Sequence, residues 1–219
     1  PECCGMPLLE QGNIEKVSFS AERISESFVE FIEDGYDVIT LTSSCALMMK
    51  YEWPLILPDN NSVKLLSENT YDIDEYIVDI SKNEGLVEGM QPVDGGISLH
   101  LACHSRAQNM GAKSNELLKL IPDADISIVE RCSGHGGTFG VLSPTHDLAR
   151  KVGKPAARQV AKVDPSFVIS SCPLASKHLS QITKEDIIKG NEKSQIKSGH
   201  PIELMAVSYG FLNKDEMSE

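Results

Sequence analysis

Residues 126–137 read ISIVERCSGHGG, and this stretch decides the architecture. Ile126 to Arg131 is a β-branched run of strand length, and it leads straight into a cysteine followed by a glycine-rich turn. The same order recurs along the chain. Ile97 to His104 (ISLHLACH) reads as a strand running into Cys103. Phe167 to Ser171 reads as a strand running into Cys172-Pro173, and Asp37 to Cys45 (DVITLTSSC) as a strand ending in a polar turn. Helical patterns separate these runs. Between Ser20 and Asp34, Ile24, Phe28, Phe31 and Ile32 line one face, with Ser20 as N-cap and Gly35 as the stop. Thr70 to Asn83 reads as an acidic helix, Ser114 to Ile121 as a short helix halted by Pro122, and His200 to Tyr209 as a closing helix with Pro201 in its first turn. Residues 146–162 read as two helical pieces broken by Gly153 and Pro155. Strands alternating with helices predict an α/β fold with mostly parallel sheets. In such sheets ligands gather beyond the carboxyl ends of the strands, where Cys45, Cys103, Cys132 and Cys172 fall.

The pattern repeats. Cys3-Cys4-Gly5 and Cys132-Ser133-Gly134 are both Cys-x-Gly turns, and each is followed by a helix and then a strand ending in Ser-Ser-Cys. Cys3 lies 42 positions before Cys45, and Cys132 lies 40 before Cys172. Repeated spacing of this kind defines the architectural unit. The turn Gln91-Pro92-Val93-Asp94-Gly95-Gly96 is linker-like, so the expected division is a first module over 1–92 and a second over 93–219. Cys103, 29 positions before Cys132, has no counterpart in the first module, which is therefore expected to be N-terminally incomplete, a piece of a longer polypeptide.

Among 219 residues, 20 basic and 32 acidic side chains leave a net charge of −12. Such a surface repels phosphate backbones and anionic lipid heads, which argues against nucleic acid and against direct membrane contact. No apolar run is long enough to span a bilayer, and no secretory signal is visible, which points to a cytoplasmic setting. The six cysteines allow three disulfides by arithmetic, or buried free thiols. Their turn-like surroundings suit metal ligands better. Thiolates select zinc, copper(I) or iron–sulfur clusters. Zinc sites usually show Cys-x2-Cys pairs, which are missing here, and adjacent Cys3-Cys4 suits a multi-iron cluster better than one tetrahedral ion. Zinc stays open as a substitute, and with it a non-redox assembly module. A metal-free thiol–disulfide enzyme is disfavoured by the same missing motif.

Cys3-Cys4-Gly5, HLACHSRAQNMG over 100–111, ERCSGHGGTFG over 130–140 and Ser171-Cys172-Pro173 resemble the cysteine-rich CCG domain of iron–sulfur oxidoreductases. The resemblance is to the CCG-bearing components of anaerobic glycerol-3-phosphate dehydrogenase and of heterodisulfide reductase. It implies a 4Fe-4S cluster, electron transfer between a flavin-containing dehydrogenase and a quinone or disulfide acceptor, and attachment to the inner face of the membrane only through partners. It implies Cys3, Cys4, Cys45, Cys103, Cys132 and Cys172 as cluster ligands. The sequence departs from the family pattern at Thr42 and Ile169, where the first cysteine of a closing Cys-x2-Cys would stand, and at Ser133, where the second cysteine of the pair would stand. The second module thus offers three thiolates. His135 and His104, beside Cys132 and Cys103, are candidates for the missing ligand; His100 suits a supporting role. Arg106 and Lys113 are candidate contacts for an acidic substrate. His146, His178 and His200 belong to no constellation in the sequence and carry no expected role.

Overall fold

The structure is a computed structural model describing residues 2–188 and 196–218. Residues 1, 189–195 and 219, which fall within the expected modules, lie outside the described residues. The fold is α/β, and among the described residues the strands pair with one another in parallel, with one antiparallel bridge between Ser198 and Ser218. β1 (Val38–Thr40) and β2 (Thr70–Asp72) form a two-stranded sheet; β3 (Ile97–His100), β4 (Ile126–Val129), β5 (Phe167–Ile169) and β6 (Lys197–Gly199) form a four-stranded sheet in the order β4-β3-β5-β6. β5 is buried along its whole length, as a central parallel strand covered on both faces must be.

The helices of the first half are α1 (Met6–Glu10), α2 (Ile14–Glu33), α3 (Ser43–Leu47), α4 (Trp53–Ile56), α5 (Asn61–Glu68) and α6 (Ile73–Asn83). α2 begins six residues before the expected start because Asn13, not Ser20, caps it, its side chain accepting from the Lys16 amide. Ile24 and Ile32 of the expected stripe are buried, but Phe31 is exposed. Val17, Ala21, Met48, Trp53, Val63 and Leu66 complete that core. The expected helix over 70–83 is two elements: Thr70–Asp72 pairs with β1, and the Asp72 side chain accepts from the Asp74 amide to start α6. The strand over 37–45 ends at Thr40, and Cys45 stands instead in the first turns of α3. α6 lies before the expected module boundary, yet its Val78 packs with Ile97, Leu99, Phe167 and Leu204 of the second half.

The second half adds α7 (Cys103–Ala107), α8 (Lys113–Leu118), α9 (Ser143–Lys162), α10 (Pro173–Ile182) and α11 (Pro201–Ser208). α9 is continuous, which corrects the expected break at Gly153 and Pro155. Pro155 is on the solvent side, as is Lys151 one turn earlier, so the carbonyl that loses its helical partner can be hydrated. Gly153 is buried because α9 packs against the Cys132 turn there; a Cβ at Gly153 would collide with the Ser133 carbonyl oxygen. α11 starts as expected. His200 is its N-cap, accepting from Ile202 at 3.2 Å, while Glu203 accepts from the His200 amide at 2.6 Å, so His200 has a structural role. Among the described residues no helix is long and apolar enough to cross a membrane.

Candidate cysteine sites

The six cysteines stand as two groups of three. In the first, Cys3 and Cys4 precede α1, and Gly5 turns the chain with φ +85°, a conformation favouring glycine. Cys4 is buried, and the fully buried Trp53 holds it by donating its indole N–H to the Cys4 carbonyl at 3.1 Å. Cys45 reaches the same point from α3. The Cys4 thiol hydrogen-bonds to the Cys45 sulfur; that bond, together with burial, pushes the Cys4 thiol up, and the same bond holds the Cys45 thiol down against the opposing effect of burial. Cys3 is exposed and hydrogen-bonds to Cys4.

In the second group, Cys103 opens α7, Cys132 follows β4 and Cys172 caps α10, each three residues past a strand of the large sheet. All three line one cavity of about 100 Å³, with His100, Ala102, His104, Ser133, His135, Gly136, Gly137, Ala175 and Glu10 on its walls. Burial, then the nearby Cys132 sulfur, raises the Cys103 thiol; burial also raises Cys172, against backbone N–H bonds from Ala175 and Leu174. The Cys132 sulfur accepts from the Gly134 amide at 3.3 Å. Gly134, at φ +79°, lets the turn lie directly on α9, where a Cβ would come within 2.6 Å of the Gly153 nitrogen.

Of the other expected residues, His104 and His135 line this cavity. His100 does too, its Nδ1 3.1 Å from the Ser170 hydroxyl, and burial lowers its pKa to about 4. The Nε2 atoms of His100 and His135 and the Ser171 hydroxyl are buried without a hydrogen-bond partner. Orphaned polar atoms around a sulfur-lined cavity are what a site built for a further group looks like. Among the described residues, no three His, Cys, Asp or Glu side chains are gathered tightly enough to grip a single metal ion. Arg106 and Lys113 are not free: Arg106 donates to the Glu130 carbonyl at 3.4 Å, and Lys113 lies 3.4 Å from Asp79.

Sequence reasoning missed three features. Glu10, from α1, reaches the cavity mouth and accepts from the Thr138 amide at 3.4 Å. Nothing in its local sequence signals this. His146 and His178 stand beside His135. Third, the two repeats meet at their Ser-Ser-Cys turns, where the Ser43 amide and hydroxyl both donate to the Ser171 carbonyl at 3.4 Å. The buried Gln108 amide ties this seam together, donating to the Ser43 carbonyl at 3.3 Å and to Asp72 at 3.1 Å. Asp74 lies next to it, with Ser114 donating to its carboxylate at 2.5 Å; burial, with the Asp72 charge, pushes its pKa up to about 7.

Several known proteins are similar to this chain in sequence. The chain is 27% identical over 212 residues to one component of a fumarate reductase (CoM/CoB) from Methanothermobacter marburgensis, covering 94% of this chain and 38% of that protein. It is 24% identical over 207 residues to one component of the anaerobic glycerol-3-phosphate dehydrogenase of Escherichia coli K12, covering 94% and 49%. It is 29% identical over 184 residues to an uncharacterised iron–sulfur protein of Methanocaldococcus jannaschii, covering 83% and 34%. The chain thus spans half or less of the length of these relatives. Residues 1–50 and 97–179, more than half of the chain and including all six cysteines, match the cysteine-rich CCG domain, and the chain belongs to that family.

Proposed function

We propose that this chain is the electron-transfer part of an iron–sulfur oxidoreductase. The observation that carries the reading is the cavity where Cys103, Cys132 and Cys172 meet, with the unpartnered His100 and His135 nitrogens on its wall. The three thiols would hold one cluster there, preferably of the 4Fe-4S kind, which supplies one-electron chemistry when bound. Three thiolates leave one ligand position; Ser133 and His104, both on the wall, are the side chains at hand to fill or flank it. Cys3, Cys4 and Cys45 would hold a second group, with Cys45 the sulfur best prepared to bind because the Cys4 hydrogen bond favours its thiolate. The names of the relatives support redox partners: a fumarate reductase, a glycerol-3-phosphate dehydrogenase and an iron–sulfur protein. On this reading a flavin-containing dehydrogenase delivers electrons and a quinone or disulfide receives them, in the cytoplasm or at the inner face of the membrane through partners. The two modules, 1–92 and 93–219, would each carry one site.

Iron and acid-labile sulfide analysis of anaerobically purified protein, with its visible spectrum, tests the proposal. Iron and sulfide in comparable amounts are expected, with the share held at the Cys103–Cys132–Cys172 cavity lost in Cys132→Ser. Protein holding zinc without sulfide would replace this reading with a non-redox assembly module.

A further inference from the structure

Gly136 and Gly137 carry the chain away from Cys132 in left-handed conformations, and the single turn over Gly137–Gly140 brings it back against His135. A Cβ at Gly140 would stand 2.7 Å from Nδ1 of His135, so glycine lets the backbone press against that ring. On the other side of Gly140, the carbonyl lies 2.7 Å from Nδ1 of His146, in the first turns of α9. His178, from the middle of α10, completes the group. Its ring centroid is 5.6 Å from that of His135 and 6.1 Å from that of His146. The three rings border an open cleft of about 260 Å³, whose other walls are Val141, Leu174, Lys177 and Gln181.

The tautomers follow from the partners. A nitrogen 2.7 Å from a carbonyl oxygen must carry the hydrogen, so Nδ1 of His146 is the donor and its Nε2 keeps a lone pair. His178 hydrogen-bonds to the Ala149 backbone, and its Nε2 is buried with no partner. His178 and His135 are each only 5% exposed, and the Nε2 of His135 is unpartnered too. Burial favours the neutral form of both. A ring N–H tied to a backbone carbonyl, beside two buried Nε2 atoms without a partner, is the pattern that prepares histidines as metal ligands.

We propose that His135, His146 and His178 form a binding site for a divalent first-row transition ion, with no cysteine among its ligands and with the His135 ring as the wall it shares with the cysteine cavity, its remaining coordination position open to the cleft. Imidazole nitrogen suits ions of the cobalt, nickel and zinc class. With metal–nitrogen distances of about 2.0–2.1 Å and tetrahedral angles, ring centroids stand about 5 Å apart. The observed 5.6 and 6.1 Å exceed that by about 1 Å or less, so the trio is not closed as it stands. A shift of His146, the least buried of the three, together with the Gly140 turn to which its Nδ1 is tied, supplies the closing movement. Arg150, whose charge bears on His178, is already paired with Glu185 at 2.6 Å and Asp186 at 2.8 Å, and Lys177 sits on the cleft wall with a long, exposed stem free to turn outward.

The test is a titration of the intact, anaerobically purified chain with Co2+, read by visible d–d absorption and by thiolate-to-cobalt charge transfer in the near ultraviolet. One equivalent bound with d–d intensity and without charge transfer is expected. His146→Ala, at a half-buried position, should keep the melting temperature of the metal-free protein and weaken that equivalent more than about tenfold. His178→Ala should abolish it. Cobalt taken up only with thiolate charge transfer, or held equally well by His146→Ala and the parent, overturns the proposal, as does no uptake at all. Should His178→Ala fail to fold, His146→Ala decides alone.

Discussion

Gly153→Ala sets two forces against each other, and the structure says which wins. In an exposed helix interior, alanine is favoured over glycine by about 1 kcal/mol. Gly153 sits near the middle of α9, so propensity alone predicts a more stable protein. A Cβ there would collide with the Ser133 carbonyl oxygen and lie 2.6 Å from Cδ1 of Ile182. Ile182 can turn aside. Ser133 cannot, because the obstructing atom is backbone, and the reciprocal side of the contact is backbone as well: Gly134 faces the Ala149 carbonyl and the Gly153 nitrogen. Relief requires the whole Cys132 turn to back off by roughly 1 Å, and overpacking of that kind costs about 1–3 kcal/mol. With neither partner free to yield, the upper end applies, and the net effect is a loss of about 2 kcal/mol, or roughly 4–8 °C in melting temperature for a chain of this size. The displacement also opens the cavity, so the alkylation rate of Cys132 should rise. Urea unfolding of Gly153→Ala beside the exposed control Lys151→Ala, with thiol alkylation mapped by mass spectrometry, measures both. A variant as stable as the parent or more so, with unchanged Cys132 reactivity, would refute the claim that α9 holds the turn by contact.

Other consequences can be checked in the same way. Trp53→Phe keeps an aromatic ring but removes the donor to the Cys4 carbonyl and leaves a cavity; unfolding experiments should show a loss of about 1–3 kcal/mol, and Cys4 should become open to alkylation. Asp74 has a native pKa near 7, above its unfolded value of about 3.8, so the native state binds the extra proton. Its contribution is fully present below about pH 3.8 and is lost as pH rises through about 7; Asp74→Asn should flatten the fall in stability over that window, and an unchanged pH profile would count against the burial of this carboxyl. Ser133→Cys adds a fourth sulfur at a buried wall position beside Cys132, and iron analysis with redox titration should show a better-retained cluster at lower potential.

The parts of the fold that can be read from the sequence are those whose local signal and tertiary setting agree. β3 and β5 are largely apolar runs that burial in a parallel sheet rewards, and β4, at the sheet edge with only Val129 buried, is legible from its β-branched residues. β2 and β6 are three residues each, and neither has an apolar pattern of its own. Thr70-Tyr71-Asp72 runs into a helical repeat that hides it, and Lys197-Ser198-Gly199 is a strand only because β5 lies beside it. The continuity of α9 is hidden because a proline rule for helix interiors does not know which face meets solvent. For the sites, thiol chemistry marks every cysteine, and strand order places three of them together. Glu10 and the His135–His146–His178 group cannot be read, since each depends on contacts between elements distant in sequence.

The seam between the repeats also bears on how the two cysteine sites behave. Two independent modules would join through surfaces remote from their ligand turns. Here the contact runs through those turns, because the Ser171 carbonyl that accepts from Ser43 belongs to the peptide bond leading into Cys172, and Ser43 starts the helix carrying Cys45. Gln108, the residue after the helix that Cys103 opens, donates to the carbonyl of that same Ser43. A shift in either turn must therefore break or stretch buried hydrogen bonds at the other, and each buried group left unpaired costs about 1–3 kcal/mol. Asp72, whose carboxyl burial holds above the usual range, receives the second Gln108 hydrogen bond, so its protonation state acts on the same network. Geometry at one cysteine site is thus a constraint on geometry at the other, and substitutions at Gln108 should disturb both sets of cysteines although the residue belongs to neither.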